Sequence, residues 1–302
     1  MNVSFQDTYN LGWKVCSVIA GIASPKILRT YESERRQVAL ELLKNDQAAN
    51  KYYSLLKADA KPTEPREDLQ TFRNKMYGFL SGVAVEYGHS LLVQKEGIRG
   101  GKGNIVNSTG DCDIVTGERD GAETSTHQEL ARRIPMGQRM PPFKVLNHAS
   151  ARPTNIAELL PSTGHWRILV FAGDLTVSTQ FDRLKKLGTA LAGHRSFFQR
   201  YSRPGWQPIE LFTIIAGARD DTPLMTLPPI FHPYDEELGW DYSRVFSDEV
   251  DVHDGRGDAY ERYGIDRRVG CVVCCRPDQH VGYIGALDDD ASLEEYFGRV
   301  MG

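Results

Sequence analysis

Apolar residues in the first 95 positions recur at intervals of three and four, the period of an amphipathic α-helix. This pattern predicts a first helix around 11–22 and a third around 69–83. Between them, Ser24 and Pro25 supply an N-cap and a proline at the start of a second, longer helix. The chain therefore opens with helices and no strand, an unusual beginning for an α/β domain.

From about residue 143 the pattern changes to short apolar strands that alternate with helices. Ser292 and Glu295 predict a capping box at the start of the last helix. The remaining elements are strands at 167–171, 209–215, 269–275 and 280–284, a helix around 181–191, and a hairpin turn at 276–279. The resulting order, β-α-β and then β-β-α, predicts a thioredoxin-like sandwich.

The intervening stretch is polar, rich in glycine and weakly periodic, which is typical of a long functional loop or a linker. We therefore divide the chain into a helical segment at 1–95, a flexible linker or insertion at 96–142, and a thioredoxin-like domain at 143–302.

Composition narrows the class of protein. The 302 residues are 40% hydrophobic and 25% charged, with a formal net charge of −4. Proteins that bind nucleic acids or membrane surfaces typically carry a net positive charge, which this sequence lacks. The first residues resemble no signal peptide, and five cysteines are too few for a disulfide framework. We expect a cytoplasmic protein without nucleic-acid or membrane partners.

The most conspicuous chemical motif, Cys271-x-x-Cys274-Cys275, lies inside an apolar run that reads as a strand. Residues three apart on a strand point to opposite faces, so Cys271 and Cys274 cannot share one ligand. The thioredoxin redox position, at 172–178, has no cysteine. We predict buried free thiols, no metal site, and a domain that acts as a scaffold or interface.

One polar residue interrupts an apolar helix face. Arg35 stands where the second helix should present an apolar side chain. Such an arginine is expected to be a paired structural residue, and Glu32 or Asp7 is the predicted partner.

Several segments resemble one known family in that family's own order. Residues 1–14, MNVSFQDTYNLGWK, resemble the flavin-side helix of FAD-dependent aromatic hydroxylases, specifically the phenol 2-monooxygenase group. Further similar segments lie at 30–36, 81–87, 151–153, 166–174 and 276–278. The resemblance implies an α/β protein in which 1–95 is the C-terminal remnant of the FAD-binding and substrate module. The thioredoxin-like domain at 143–302 would then be the family's dimerisation domain.

The resemblance also implies chemistry. The family uses NADPH and FAD to hydroxylate a phenol-like aromatic ring, and Met1 and Asn2 correspond to its flavin-contacting residues. No Gly-x-Gly-x-x-Gly motif occurs in this sequence, and the family's FAD-binding Gly-Asp motif belongs to a part that precedes the position corresponding to Met1. We therefore expect a truncated enzyme that is not catalytic by itself, name no catalytic residue, and expect a homodimer through 143–302. A missing N-terminal FAD-binding half is a further expected partner.

Two other functions remain open from the sequence. One is a non-catalytic dimerisation or partner-binding protein built on the thioredoxin-like half. The other is a flavin-free enzyme such as an isomerase.

Overall fold

The computed structural model describes residues 2–57, 66–95, 127–203, 206–251 and 257–302. Its α-helices are α1 Asn2–Ile19, α2 Arg29–Lys57, α3 Arg66–Leu80, α4 Ser178–Ala192, α5 Phe197–Arg200, α6 Ala259–Tyr263 and α7 Asp290–Met301. Its strands are β1 Lys144–Asn147, β2 Pro153–Asn155, β3 Trp166–Gly173, β4 Ile209–Ala216, β5 Tyr234–Asp235, β6 Gly239–Trp240, β7 Val245–Asp248, β8 Cys271–Cys275 and β9 Val281–Gly285.

The first two helices meet at a short capped turn. Ser24 accepts a hydrogen bond from the Lys26 backbone N–H, and the 3₁₀ turn Pro25–Leu28 leads directly into α2. The three predicted helices are confirmed. In the last helix, however, the predicted capping box is wrong, because α7 begins two residues before Ser292 and the Asp289 side chain caps the Ser292 N–H.

In the described part of the chain, seven strands form one mixed sheet in the order β2-β1-β7-β4-β3-β8-β9. Strand β3 is parallel to β4, and β4 is parallel to β7. The pairs β3–β8 and β8–β9 are antiparallel. The mixed α/β class and the predicted β-α-β and β-β-α order are confirmed. The sequence pattern did not reveal β1, β2 and β7, because three or four residues are too short for an alternation to show.

The sheet separates two apolar layers. Along β3, Ile168 and Val170 face a layer that includes residues of α4 and α7, whereas Leu169 and Phe171 face the other layer. Trp13 of α1 joins the first layer, with its ring 5.9 Å from that of Trp166. The N-terminal helices therefore pack directly against the C-terminal sheet, and this contact positions the site described below.

The predicted three-part division of the chain stays a prediction. Residues 96–126 of the expected linker lie outside the described residues. Within 127–142, Ile134, Met136 and Met140 are buried in the second layer. Where the chain is described, no helix has the length and apolar character needed to cross a membrane.

Candidate functional site

Four charged side chains are buried together where α1 and α2 meet the turn between β8 and β9. Lys14 Nζ lies 2.8 Å from Glu34 Oε2. The Arg276 guanidinium donates to both oxygens of the same carboxylate, at 2.6 and 3.0 Å. Arg276 Nε also donates to Asp278 Oδ1 at 3.0 Å. Each of the four side chains is 2% exposed or less, so we call this group the buried charge cluster.

Neighbouring polar groups complete the hydrogen bonding of the cluster. The Asn10 amide donates to Glu34 Oε2 at 2.7 Å and accepts from Lys14 Nζ at 2.8 Å. Trp13 Nε1 donates to Asp278 Oδ2 at 3.1 Å. Asn10, Trp13 and Lys14 occupy one helical face because residues three and four apart on a helix are neighbours. The inner face of α1 therefore buries polar side chains beside apolar ones.

The charges of the cluster balance. Burial alone would raise the pKa of Glu34, but the Arg276 charge and hydrogen bonds outweigh it and hold that pKa below its usual value. The same competition between burial and Arg276 holds the pKa of Asp278 well below its usual value. Burial and, after it, the nearby Arg276 charge lower the pKa of Lys14 to about 8, although Glu34 and Asp278 act to raise it. At neutral pH we expect two cations and two anions, which is the pairing a buried ionic group requires.

A second pair joins α1 to α2. Arg35 Nε donates to Asp7 Oδ1 at 2.6 Å, and Arg35 Nη1 donates to the Tyr87 hydroxyl at 3.2 Å. The Tyr87 ring in turn stacks on His280, with centroids 4.4 Å apart. Arg35 is therefore a paired structural arginine, as expected, and Asp7 is its partner.

A small recess opens beside the cluster, lined by residues of α1, of the segment after α3 and of the β8–β9 turn. Arg139 Nε and His280 Nε2 both border it and have no partner among the described residues. Its volume of about 10 Å³ corresponds to roughly one water molecule. The recess is therefore too small for an aromatic ring and is not a substrate pocket.

The start of α1 is the part of this structure that the family resemblance would place against an FAD cofactor. Asn2 begins α1 and is exposed, while Met1 lies outside the described residues. A helix N-terminus has free N–H groups and a positive dipole end, which suit the electron-rich N1–C2=O edge of a flavin. No acidic side chain occupies the first turn of α1 to oppose this. The sequence lacks the glycine motif that cradles the phosphates, so these residues do not form a complete FAD site, and no reaction step is assigned to them.

The cysteine motif behaves as the sequence predicted. Cys271 and Cys275 face one apolar layer, and Cys274 faces the other. All three are free and fully buried in the strand. Burial raises the pKa of Cys275 to about 12 and raises the pKa of the other two thiols as well. Such thiols have no thiolate to react or to bind a metal at neutral pH.

This burial predicts the reactivity of the thiols. In a variant with Cys16→Ser and Cys112→Ser, the three strand cysteines should react with a disulfide reagent at least about 100-fold more slowly in the native protein than in urea. Cys16 is exposed, so a variant that keeps Cys16 provides a control thiol that should react rapidly in the native protein. Rapid modification of a strand thiol in the native protein would show that β8 is not a closed core strand.

The buried charge cluster was not predicted from the sequence. The sequence pattern indicated Arg35, because this residue interrupts an apolar helix face. The residue at the centre of the cluster is its neighbour Glu34. One feature of the sequence does indicate a buried polar group: Lys14 follows Asn10 by four residues, so both lie on the inner face of α1. The partners Arg276 and Asp278 are more than 240 residues away, and their proximity depends on the tertiary fold.

Comparison with protein families identifies two segments. Residues 85–302 match the model of the phenol hydroxylase C-terminal dimerisation domain. Residues 1–46 match the model of an FAD binding domain. The buried charge cluster joins these two segments. Lys14 and Glu34 belong to the segment 1–46, and Arg276 and Asp278 belong to the segment 85–302.

Relatives align with nearly the whole chain. The chain is 31% identical over 98% of its length to phenol 2-monooxygenase fsqG of Aspergillus fumigatus, covering 44% of that protein. It is 30% identical to 3-hydroxybenzoate 4-monooxygenase of Comamonas testosteroni, over 100% of this chain and 43% of that protein. The chain thus spans less than half of these relatives. Its fold resembles that of aklavinone-11 hydroxylase, solved with FAD and aklavinone, with a TM-score of 0.51, 19% identity, and coverage of 99% of this chain and 40% of that one.

Proposed function

This chain belongs to the phenol hydroxylase family, whose C-terminal dimerisation domain it carries at 85–302, and we propose that it forms the dimerising, flavin-side part of an FAD-dependent aromatic monooxygenase. The activity would be hydroxylation of a phenol-like ring with NADPH as electron donor. Support comes from relatives named as a phenol 2-monooxygenase, a 3-hydroxybenzoate 4-monooxygenase and FAD-dependent monooxygenases.

The observation that carries this proposal is the junction between the two family segments. Glu34, in the FAD-binding-domain segment, accepts from Arg276 of the dimerisation segment through both carboxylate oxygens. A fully buried, charge-balanced contact does not form between segments that move independently, because separating them would leave unpaired ions in each. The flavin-side helices and the dimerisation domain therefore act as one rigid unit.

Within this unit, we assign Asn2 to the flavin side. Its position at the start of an 18-residue helix would place the first free N–H groups against the pyrimidine edge of the cofactor. Met1 is part of the same proposal through the family resemblance. The phosphate-binding groups would come from a part of the enzyme that this sequence does not contain.

The test is FAD uptake. The purified chain with added FAD should take up little flavin after gel filtration, as read between about 350 and 500 nm, because it lacks a phosphate cradle. Co-expression with the unmatched FAD-binding part of the Comamonas relative should yield a yellow complex and phenol-dependent NADPH oxidation. Asn2→Asp, which adds negative charge beside the flavin edge, should weaken that uptake, whereas Gln37→Glu on the exposed face of α2 should not.

Two results would contradict the proposal. One is a complex that forms but stays colourless with saturating FAD. The other is equal flavin uptake by the wild type and the Asn2→Asp variant, which would remove Asn2 from the flavin side.

A second function is favoured by one observation. The dimerisation-domain match alone covers 85–302, so a non-catalytic dimerisation or partner-binding protein would need nothing beyond the residues present. A stable colourless dimer that gains no activity from the supplied FAD-binding part would favour this function. A cytoplasmic location belongs to both proposals, since the free cysteines at 16, 271, 274 and 275 suit a reducing compartment.

A further inference from the structure

Two nitrogen atoms border the small recess beside the buried charge cluster, one from each of two paired segments. Arg139 and His280 stand directly opposite each other in an antiparallel bridge, and backbone hydrogen bonds of 2.8 and 3.0 Å flank this pair. Residues directly opposite in such a pair extend their side chains from the same face. Arg139 Nε and His280 Nε2 both border the recess, and neither has a hydrogen-bond partner among the described residues.

The two ring nitrogens of the buried His280 have different surroundings. His280 is 3% exposed. Its Nδ1 lies 3.1 Å from the Asp278 carbonyl oxygen and 3.4 Å from Asp278 Oδ1, and both of these oxygens only accept hydrogen bonds. Nδ1 therefore carries a hydrogen in the neutral ring as well as in the charged ring. It follows that Nε2 is a bare acceptor when His280 is neutral and an N–H donor when His280 is protonated.

Positive charge predominates around the recess. The buried charge cluster is balanced by itself, and Arg35 is paired with Asp7. Arg139 forms no ion pair with any of the described residues. Asp278 also borders the recess, but its two oxygens already accept hydrogen bonds from Arg276. The recess therefore faces one uncompensated cation, and a second when His280 is protonated.

We propose that the recess binds one halide ion, with chloride as the physiological one, between Arg139 Nε–H and the Nε2–H of protonated His280. Hydrogen bonds from two cationic donors to an anion are charge-assisted and stronger than neutral ones. The neutral state of His280 suits a water molecule instead, because water donates to the bare Nε2 and accepts from Arg139. The ion and a proton therefore bind together. The volume of about 10 Å³ admits one particle of roughly water size and excludes polyatomic anions such as gluconate.

The other ionisable groups around His280 keep their charge state below neutral pH. They belong to α1, to α2, to the segment after α3, to the segment 127–142 and to the β8–β9 turn, and are Tyr9, Lys14, Glu34, Arg35, Tyr87, Arg139, Arg276 and Asp278. Burial raises the pKa of both tyrosines, so they stay neutral. The Arg276 charge holds the pKa of both carboxyl groups below their usual values, and Lys14, with a pKa of about 8, stays charged. A pH dependence of halide binding between about pH 5.5 and 7 would therefore report His280.

Chloride titration of the purified chain tests the site. Potassium chloride replaces potassium gluconate at constant ionic strength, so that only the identity of the anion changes. The Tm should rise by about 2 °C when chloride reaches ten times its dissociation constant, because the ion binds only the folded state. Chlorine NMR line widths report the bound ion directly. The affinity they give should be on the order of fivefold higher at about pH 5.5 than at about pH 7, because one proton is taken up with the ion.

Three variants assign the effect to the recess. Arg139→Gln removes the uncompensated charge and should abolish the difference between chloride and gluconate. Arg132→Gln is the matched control, because it makes the same exchange in the same segment at an exposed position, and it should respond to chloride as the wild type does. His280→Gln keeps a neutral donor but cannot be protonated, so its weaker chloride binding should not depend on pH.

Three results would overturn the halide site. Equal stabilisation of the wild type and Arg139→Gln would mean that chloride binds elsewhere. Equal unfolding in chloride and gluconate at both pH values would mean that the recess holds water alone. Chloride line widths of the wild type that do not change with pH would exclude protonated His280 as a donor, and this readout decides the proposal even if neither recess variant folds. FAD uptake is measured separately, so none of these results bears on the proposed function.

Discussion

Replacing Glu34 by glutamine is expected to lower the free energy of unfolding by about 3–5 kcal/mol. Glutamine keeps the size of the side chain but removes the charge that faces both Lys14 and Arg276. Asp278 alone would then oppose two fully buried cations. Such an uncompensated charge in the interior costs far more than the loss of one hydrogen bond.

Urea unfolding followed by tryptophan fluorescence measures this effect, because Trp13 and Trp166 lie in contact beside the cluster. Glu41→Gln is the matched control on the same helix, where the side chain is exposed. We expect that control to change stability by less than about 0.5 kcal/mol. Equal stability of the two variants would mean that the buried charge cluster does not hold the helices to the domain.

Gly270→Ala is expected to destabilise the protein by about 3 kcal/mol or more. Gly270 has φ +64°, in the left-handed region that favours glycine. A Cβ atom there would lie 2.2 Å from the Phe171 carbonyl oxygen, which is backbone and cannot move aside. The next residue, Cys271, pairs with Phe171 across β3 and β8, so any adjustment would disturb the centre of the sheet.

The control for this change should alter the free energy of unfolding in the opposite direction. Gly298 lies inside α7, and a Cβ atom added there meets nothing within 4 Å. Alanine is a better helix former than glycine, so Gly298→Ala should stabilise the protein by about 0.5–1 kcal/mol. Thermal and urea unfolding of both variants would check the pair. Wild-type stability of Gly270→Ala would mean that the paired strands β3 and β8 can relax around a side chain.

The stability predictions bear on function through the junction. The flavin-side helices reach the dimerisation domain through buried ions and the packing of Trp13 against Trp166. If the chain works in a flavin monooxygenase, this contact would fix the flavin-side helices relative to the dimer. A variant that weakens the cluster should therefore lose FAD uptake in the reconstituted complex before it loses dimerisation.

Local pattern was sufficient for much of the fold. The helical period predicted α1 to α3, and the apolar runs predicted β3, β4, β8 and β9 in their correct order. The two-residue period of a strand also predicted that Cys271 and Cys274 face opposite layers. These features depend on neighbours within a few residues, and the sequence contains them directly.

The site could be predicted only in part. An arginine on an apolar face indicated a buried pair, and Asp7 was one of two named partners of Arg35. Glu34 gave no such signal, because a glutamate on a long polar helix is ordinary and most are exposed. Its burial follows from a turn far along the chain that supplies Arg276.

The sequence by itself determined the helices, the central strands, the strand position of the cysteines and the family resemblance, because each rests on local spacing or on contiguous motifs. The tertiary structure alone decided which charges meet and how small the recess beside them is. Those features join residues tens to hundreds of positions apart. Their proximity follows from the packing of the whole chain, which no local period encodes.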